Sequence, residues 1–163
     1  MKKFDELVMG APQVGRIEWI GLRPKYMSPL EGVELAEAVV DRGLIGDHYA
    51  ETGGSDRQVT LIQHEHFAVM SGILNRKVEP GQTRRNVVVS GLNLSVLKKA
   101  KFQVGNVVMQ ATGNCAPCSR MEANLGPGGY AAMVGHGGIT ARILIGGTIR
   151  VGDSVSILSD SPA

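Results

Sequence analysis

Glycine recurs along the whole of this chain, 22 times in 163 residues, without collecting into a tail or a repeat. Each glycine loosens the backbone where it stands and weakens any long regular element around it. Spread in this way, they predict a loop-rich fold of short strands joined by tight turns. Aromatic residues make up only 4%, but hydrophobic residues at 43% and charged residues at 20% are enough for a core and a solvated surface. A chain of this length buries such a core without disulfides. It is expected to form one domain with its core at about residues 15 to 158 and a few flexible residues at either end.

The charge is balanced, with 17 basic and 15 acidic residues for a formal net charge of +2, which argues against nucleic acid as the main partner. No apolar run reaches the length of a membrane span. The first thirteen residues carry Lys2 and Lys3, then Asp5 and Glu6, with no apolar stretch of the kind a signal peptide needs. The two cysteines, Cys115 and Cys118, share one CxxC and so provide no secreted disulfide framework. A cytoplasmic location is the expectation.

Periodicity places the elements. Gly15 to Leu22 alternates as a strand, with Ile17, Trp19 and Gly21 on one face and Glu18, Ile20 and Leu22 on the other, and stops at Arg23-Pro24. Val33 to Val40 fits strand and helix equally. Arg57 to Ile62 reads as a strand, and His64 to Asn75 as an amphipathic helix with Phe67, Met70, Ile73 and Leu74 at helical spacing. The valine run after Asn86 suits a strand buried on both faces. FQVGNVVMQ from Phe102 and IRVGDSVSI from Ile149 each set a Gly-Asn or Gly-Asp pair between apolar segments. Either pair fits a type II′ hairpin turn or a bend at a glycine bulge. Short helices are expected at Ser119 to Leu125 and Tyr130 to Val134, with further strands from Ile139 onward. Strands dominate and no βαβ rhythm is visible, so the class is mainly β: an antiparallel β-barrel decorated with a few short helices.

The sharpest chemical signal is CAPC, Cys115 to Cys118. It lies between an apolar strand and a helix expected to begin near Pro117, where free amides favour a thiolate. Arg120 stands two residues on and acts in the same sense. Cys118 thus reads as an activated thiol, suited to a soft metal or to carrying sulfur. The same residues also fit two buried small apolar side chains, or a dithiol redox pair. Structural zinc is disfavoured because no second ligand pair lies nearby. Arg57, Arg84 and Arg85 fall where glycine-rich loops become strands, and Arg142 lies within a strand near Gly137 and Gly138. Such arginines suit a phosphate, although each alone equally suits solvated charge. Asn86 offers an amide for a heterocycle edge, and His136, in GHGG, could line a pocket. His64 and His66 are two apart on a helix and cannot share a metal.

With these residues in view, the chain resembles the MOSC family, the domain found at the C-terminus of molybdenum cofactor sulfurases. The likeness rests on GLIGDHY from Gly43, GGSDRQVTLI from Gly53 and PGQTRRNVVVSGLNL from Pro80. It continues through CAPCSRME from Cys115 and GHGGITARILIGGTIRVGDSV from Gly135, and covers about residues 15 to 158. The resemblance implies a β-barrel of the pyruvate-kinase-barrel type that binds the molybdopterin form of the molybdenum cofactor. It also implies Cys118 as molybdenum or sulfur ligand, with Arg57, Arg84, Arg85 and Arg142 holding phosphate and pterin. No aminotransferase-like domain and no iron–sulfur or cytochrome domain accompanies it. A stand-alone member is therefore expected, either reducing N-hydroxylated compounds with electrons from another protein or carrying cofactor or sulfur received from a donor protein. Cys115 is an extra thiol beside the expected ligand.

Overall fold

β-Branched and leucine-rich strands, cut short by glycine turns, close on themselves in the computed structural model, which describes residues 1–159. The expectation for the last few residues falls on 160–163, outside the described ones. A short helix that the sequence reading did not assign, α1 (Phe4–Met9), precedes strand β1 (Gly15–Leu22), which stops at Arg23-Pro24 as predicted. Next come β2 (Glu31–Val33), β3 (Leu35–Val39) and β4 (Gly43–Leu44). The ambiguous LAEAVV is thus a strand, and it turns Ala36 and Ala38 inward. Then follow β5 (Val59–Gln63), helix α2 (Glu65–Leu74) and β6 (Val87–Ser90), with one 3-10 turn at Pro80–Thr83. The chain continues as β7 (Lys101–Val104), β8 (Val107–Asn114), α3 (Ser119–Leu125) and α4 (Gly129–Met133). It ends in β9 (Ile139–Ile145), β10 (Gly147–Arg150) and β11 (Ser154–Ile157).

Seven strands form a closed barrel in the order β11-β7-β8-β9-β5-β6-β1, with β1 pairing back to β11 and β2 added at its side. The barrel is mixed rather than antiparallel throughout, because β5 and β6 run parallel with Leu61 opposite Val87. A parallel neighbour requires a crossover, and α2 with the 3-10 turn after it supplies one. Strands β10, β3 and β4 make a small separate sheet.

The side-chain period of two divides the apolar residues between two cores. Leu61, Val87, Val89, Phe102, Met109 and Ile143 fill the barrel. Ile62 and Val88 point outward beneath the helices, where they meet Met70, Met121, Leu125 and Met133. The valine run is therefore buried on both faces, as its lack of alternation predicts. On β1 the predicted faces do not hold: the register against β6 shifts between Ile17 and Trp19. That bulge brings both Ile17 and Ile20 inside and leaves Trp19 packed against the helix-side core.

The two glycine echoes resolve differently. β7 and β8 form the predicted hairpin, with Gly105 at φ +58 in its turn. β10 and β11 join different sheets, so Val151 to Asp153 is a corner and not a hairpin turn. Asp153 fixes it: its N–H donates to the Arg150 carbonyl at 3.0 Å and its Oδ2 accepts from the Arg150 N–H at 2.9 Å.

Candidate functional site

The CxxC loop leaves the end of β8 and runs into α3. Helix α3 starts at Ser119, so Cys118 is its N-cap and Pro117 lies before the helix, not in its first turn. The two thiols sit in opposite settings: Cys115 is buried and Cys118 is exposed. Gly137 and Gly138 let the start of β9 press close on this loop. A Cβ at Gly137 would strike the Cys115 carbonyl, and one at Gly138, which has φ +85, the Leu61 carbonyl.

Arg85 holds the loop from beneath. It is 3% exposed, and its guanidinium donates to the carbonyls of Gly137 (2.7 Å), Thr83 (3.0 Å), Cys115 (3.0 Å) and Ala116 (3.3 Å). Arg84, the residue before it, has φ +58, a left-handed backbone that a non-glycine residue occupies at a cost of about 1 kcal/mol. Its Nη1 donates to the Ser28 carbonyl at 3.2 Å, while Nη2 is buried with no partner among the described residues. Arg23, only 5% exposed, lies 4.9 Å from the Tyr49 ring centroid and donates through Nη2 to the Arg84 carbonyl, and its Nε also has no partner among the described residues. Arg57 lies 6.0 Å from the centroid of the same Tyr49 ring. Arg120 lies 5.6 Å over the ring of Tyr26 and donates to its hydroxyl at 3.2 Å.

None of these five guanidiniums makes an ion pair among the described residues. Burial, then the cations of Arg23 and Arg120, push Arg84 below the ordinary guanidinium range, against the pull of Tyr49 and Cys118. Burial likewise lowers Arg85, while Cys115 and Cys118 act the other way and Arg57 and Arg23 add to the fall. Guanidiniums stay protonated at neutral pH, so these shifts register mainly the cost of burying charge beside the thiol loop. The site groups guanidinium donors, the chemistry that suits an anion, with an exposed thiol at its edge.

Of the other predicted residues, Asn86 supports the cluster floor, while Arg142 and His136 make their contacts elsewhere. Asn86 is buried, and both ends of its amide are used within the protein. Nδ2 donates to the Gly21 carbonyl (3.0 Å) and to Asp47 Oδ2 (2.9 Å), and Oδ1 accepts from the Thr60 N–H and hydroxyl. It has no amide edge left for a heterocycle. Arg142 reaches along the outside of β9 to Gln110 at 2.8 Å and Asp56 at 3.9 Å. His136 packs on His66, ring centroids 4.9 Å apart, and its Nδ1 faces the Ala132 carbonyl at 3.0 Å, which makes that nitrogen the donor.

Burial first, then the charge of His136, lowers the pKa of His66, with Glu65 opposing. The fold therefore prefers the neutral ring, and this contribution is present above the ordinary histidine range and lost as pH falls through the depressed value. In His66→Gln the unfolding midpoint is expected to vary less between about pH 7 and pH 5 than in the unaltered chain, by at most one proton's worth of slope. Urea titrations at several pH values check this, and an unchanged pH profile rules it out.

Several members of the site escaped the sequence reading. Arg23 looked like a strand stop, and Tyr26 and Tyr49 like loop residues. Asp47, 3% exposed, accepts from the backbone N–H groups of Arg23 and Tyr49 and from Asn86, so it orders the arginine floor without neutralising it. Only Arg23's place directly after a buried strand could have flagged it.

The structure is a closed β-barrel with an exposed thiol beside a group of arginines. The sequence model of the MOSC domain matches residues 48–156, and the chain belongs to that family. Among solved structures, the YuaD protein from Bacillus subtilis superimposes with TM-score 0.75 at 16% identity, over 91% of this chain and 97% of that one. YiiM from Geobacillus stearothermophilus gives TM-score 0.73 at 20% identity, covering 89% and 75%. YiiM from Escherichia coli gives 0.68 at 18%, covering 91% and 72%. At these identities the likeness speaks for the fold. No curated protein sequence matches. Among the described residues no helix is long and apolar enough to cross a membrane.

Proposed function

We propose that the arginine cluster and Cys118 bind a pterin-type molybdenum cofactor. Arg23, Arg84 and Arg57 would take its phosphate, Arg120 would add charge at the edge, and the Cys118 sulfur would ligate the metal. The observation that carries this reading is the pair of buried guanidinium nitrogens, Arg23 Nε and Arg84 Nη2, that have no partner among the described residues, in a cluster whose guanidiniums make no ion pair there. Buried donors left open in this way suit an anion from outside the chain. A soft thiolate next to hard phosphate-binding forks also matches a ligand with both a soft metal and a phosphate. Within this reading Arg85 works by holding the thiol loop, and Asn86 by fixing Asp47 beneath the arginines. Arg142 and His136 contribute from outside the cluster.

When bound, the group supplies a soft redox-active metal centre. The enzyme form of this reading is a reductase that takes an N-hydroxylated compound, two electrons from a separate donor protein and two protons to the amine and water. The carrier form, in which Cys118 bears cofactor or a persulfide sulfur received from a donor protein, draws on the exposure of that thiol. Elemental analysis of protein made in cofactor-producing cells tests both. Molybdenum should be present in proportion to chain and fall at least about tenfold in Cys118→Ser. It should also fall in Arg84→Gly, a change that suits the φ +58 backbone and so keeps the fold. Unaltered protein that holds no molybdenum sinks the proposal. Reduction of an N-hydroxylated base by loaded protein with a chemical electron donor separates enzyme from carrier.

A further inference from the structure

Lysine is segregated in this molecule. Lys2 and Lys3 lead into helix α1, and the Lys98 ammonium sits 4.3 Å from the centroid of the Phe4 ring on that helix. Lys99 lines a groove with Lys98 beside the helix, and Lys101 follows Ala100, which lies in the wall of the same groove. Five of the chain's seven lysines therefore gather here, Lys25 and Lys77 being the other two. All five are exposed, and none of them makes an ion pair among the described residues.

Helix α1 is loosely seated among them. It has no buried residue, and Phe4 and Leu7 are 54% and 58% exposed. Phe4, Leu7 and Val8 share one face by helical spacing, while Asp5 and Glu6 fall outside that face. Phe4, Val8 and the facing Val96 line hollows on both flanks of the helix. The helix thus rests on one ridge of contact with a groove on either side. One groove, of about 390 Å³, is walled by Met9, Leu97, Ala100 and the two lysines. The other runs past Leu92 and Ile157 and has no lysine in its wall.

The chain itself shows what this surface accepts: an acidic amphipathic helix, apolar side down, with ammonium groups around it. α1 is too short and too shallow to fill the surface, and the groove on the lysine side stays open. We propose that this groove docks a second acidic amphipathic helix, supplied by a partner protein, with apolar side chains in the groove and carboxylates on Lys98, Lys99 and Lys101. A second copy of this chain could offer only its own α1, whose Lys2 and Lys3 would come up against the same lysines. A flat bilayer would leave the groove unfilled and would meet the carboxylates of Asp5 and Glu6. Lys98 and Lys99 also line a hollow with Ser95, Thr112 and Asn114, which reaches the residue before Cys115. A partner seated here is therefore beside the thiol loop. That this partner is the donor of electrons or sulfur rests on the proposed function above; the docking itself does not.

Two capped peptides of about 15 residues test the docking on metal-free protein. Both carry leucine at helical spacing, with glutamate at the remaining positions of one and lysine at those of the other. In NMR titrations at low salt, the glutamate peptide should shift the backbone amides of residues 96–101 and the methyls of Val8 and Val96 saturably, with Kd below about 1 mM. The lysine peptide should bind at least about tenfold more weakly, and salt at about 0.3 M should weaken the glutamate peptide at least about fivefold. Lys98→Glu combined with Lys99→Glu should lower its affinity at least about tenfold. Should that variant misfold, Lys99→Glu alone takes its place, with a loss of at least about threefold. The proposal falls if the glutamate peptide gives no saturable shift, if the lysine peptide binds equally, or if the charge-reversed protein binds as before. Shifts of the same resonances on dilution of the chain alone would give this face to a second copy and overturn the proposal as well. Molybdenum content does not enter these readings, so failure of the docking and failure of the proposed cofactor site are told apart.

Discussion

Arg85→Met is expected to cost the fold about 3–5 kcal/mol and to set the thiol loop free. The guanidinium is buried, and its four hydrogen bonds end on carbonyls of three separate segments: Thr83 before β6, Cys115 and Ala116 in the CxxC loop, and Gly137 before β9. Methionine fills similar volume but leaves those carbonyls without donors, each a penalty of about 1–3 kcal/mol unless water reaches it. Arg85→Lys should rescue little, because an ammonium on one stem cannot spread across a planar fork of acceptors. Urea unfolding of both variants measures the loss. Alkylation of Cys115, buried in the intact protein, should accelerate in both as the loop loosens. If Arg85→Lys is as stable as the unaltered chain and Cys115 stays protected, the clamp is not what holds the loop.

That clamp shows why the site was only partly legible in the sequence. The strands were readable because their cause is local: the lack of alternation in β5 and β6 follows from side-chain period, while the faces of β1 were upset by a bulge that only its pairing with β6 reveals. The parallel pairing of β5 with β6 was not, since it depends on α2 crossing over the barrel, a long-range choice. Cys118 stood out in the sequence by its motif, and Arg84 by its place between a loop and a strand. The difference between Arg84 and Arg85 was invisible, although they are neighbours in sequence. One has an open nitrogen in the cluster, and the other spends its donors on backbone. Only the positive φ at Arg84, a property of the folded chain, turns them to different tasks. Arg23 and the paired rings of His66 and His136 were missed for the same reason, because their partners are distant in the chain.

The same logic makes Asn86→Asp a severe change despite its near-identical shape. The amide Nδ2 donates at once to the Gly21 carbonyl and to Asp47 Oδ2. A carboxylate there can donate to neither, and it sets a second negative charge against Asp47 in a buried position. The expected loss near neutral pH is about 3–5 kcal/mol. Its pH dependence identifies the cause. Repulsion and burial favour the protonated acid, so the introduced carboxyl titrates above the ordinary carboxylate range in the folded protein and near that range when unfolded. The penalty is therefore full above the folded value and shrinks as pH falls toward the unfolded one. Relative to the unaltered chain, Asn86→Asp should recover stability between about pH 7 and pH 4.5, while Asn86→Leu, which has no proton to bind, should stay uniformly impaired. Thermal unfolding across that range decides it: a deficit of constant size in Asn86→Asp would mean that Asp47 feels no new charge. Because Asp47 also holds the Arg23 and Tyr49 backbones at the cluster floor, the same variant should weaken pyrophosphate binding at a pH where it remains folded.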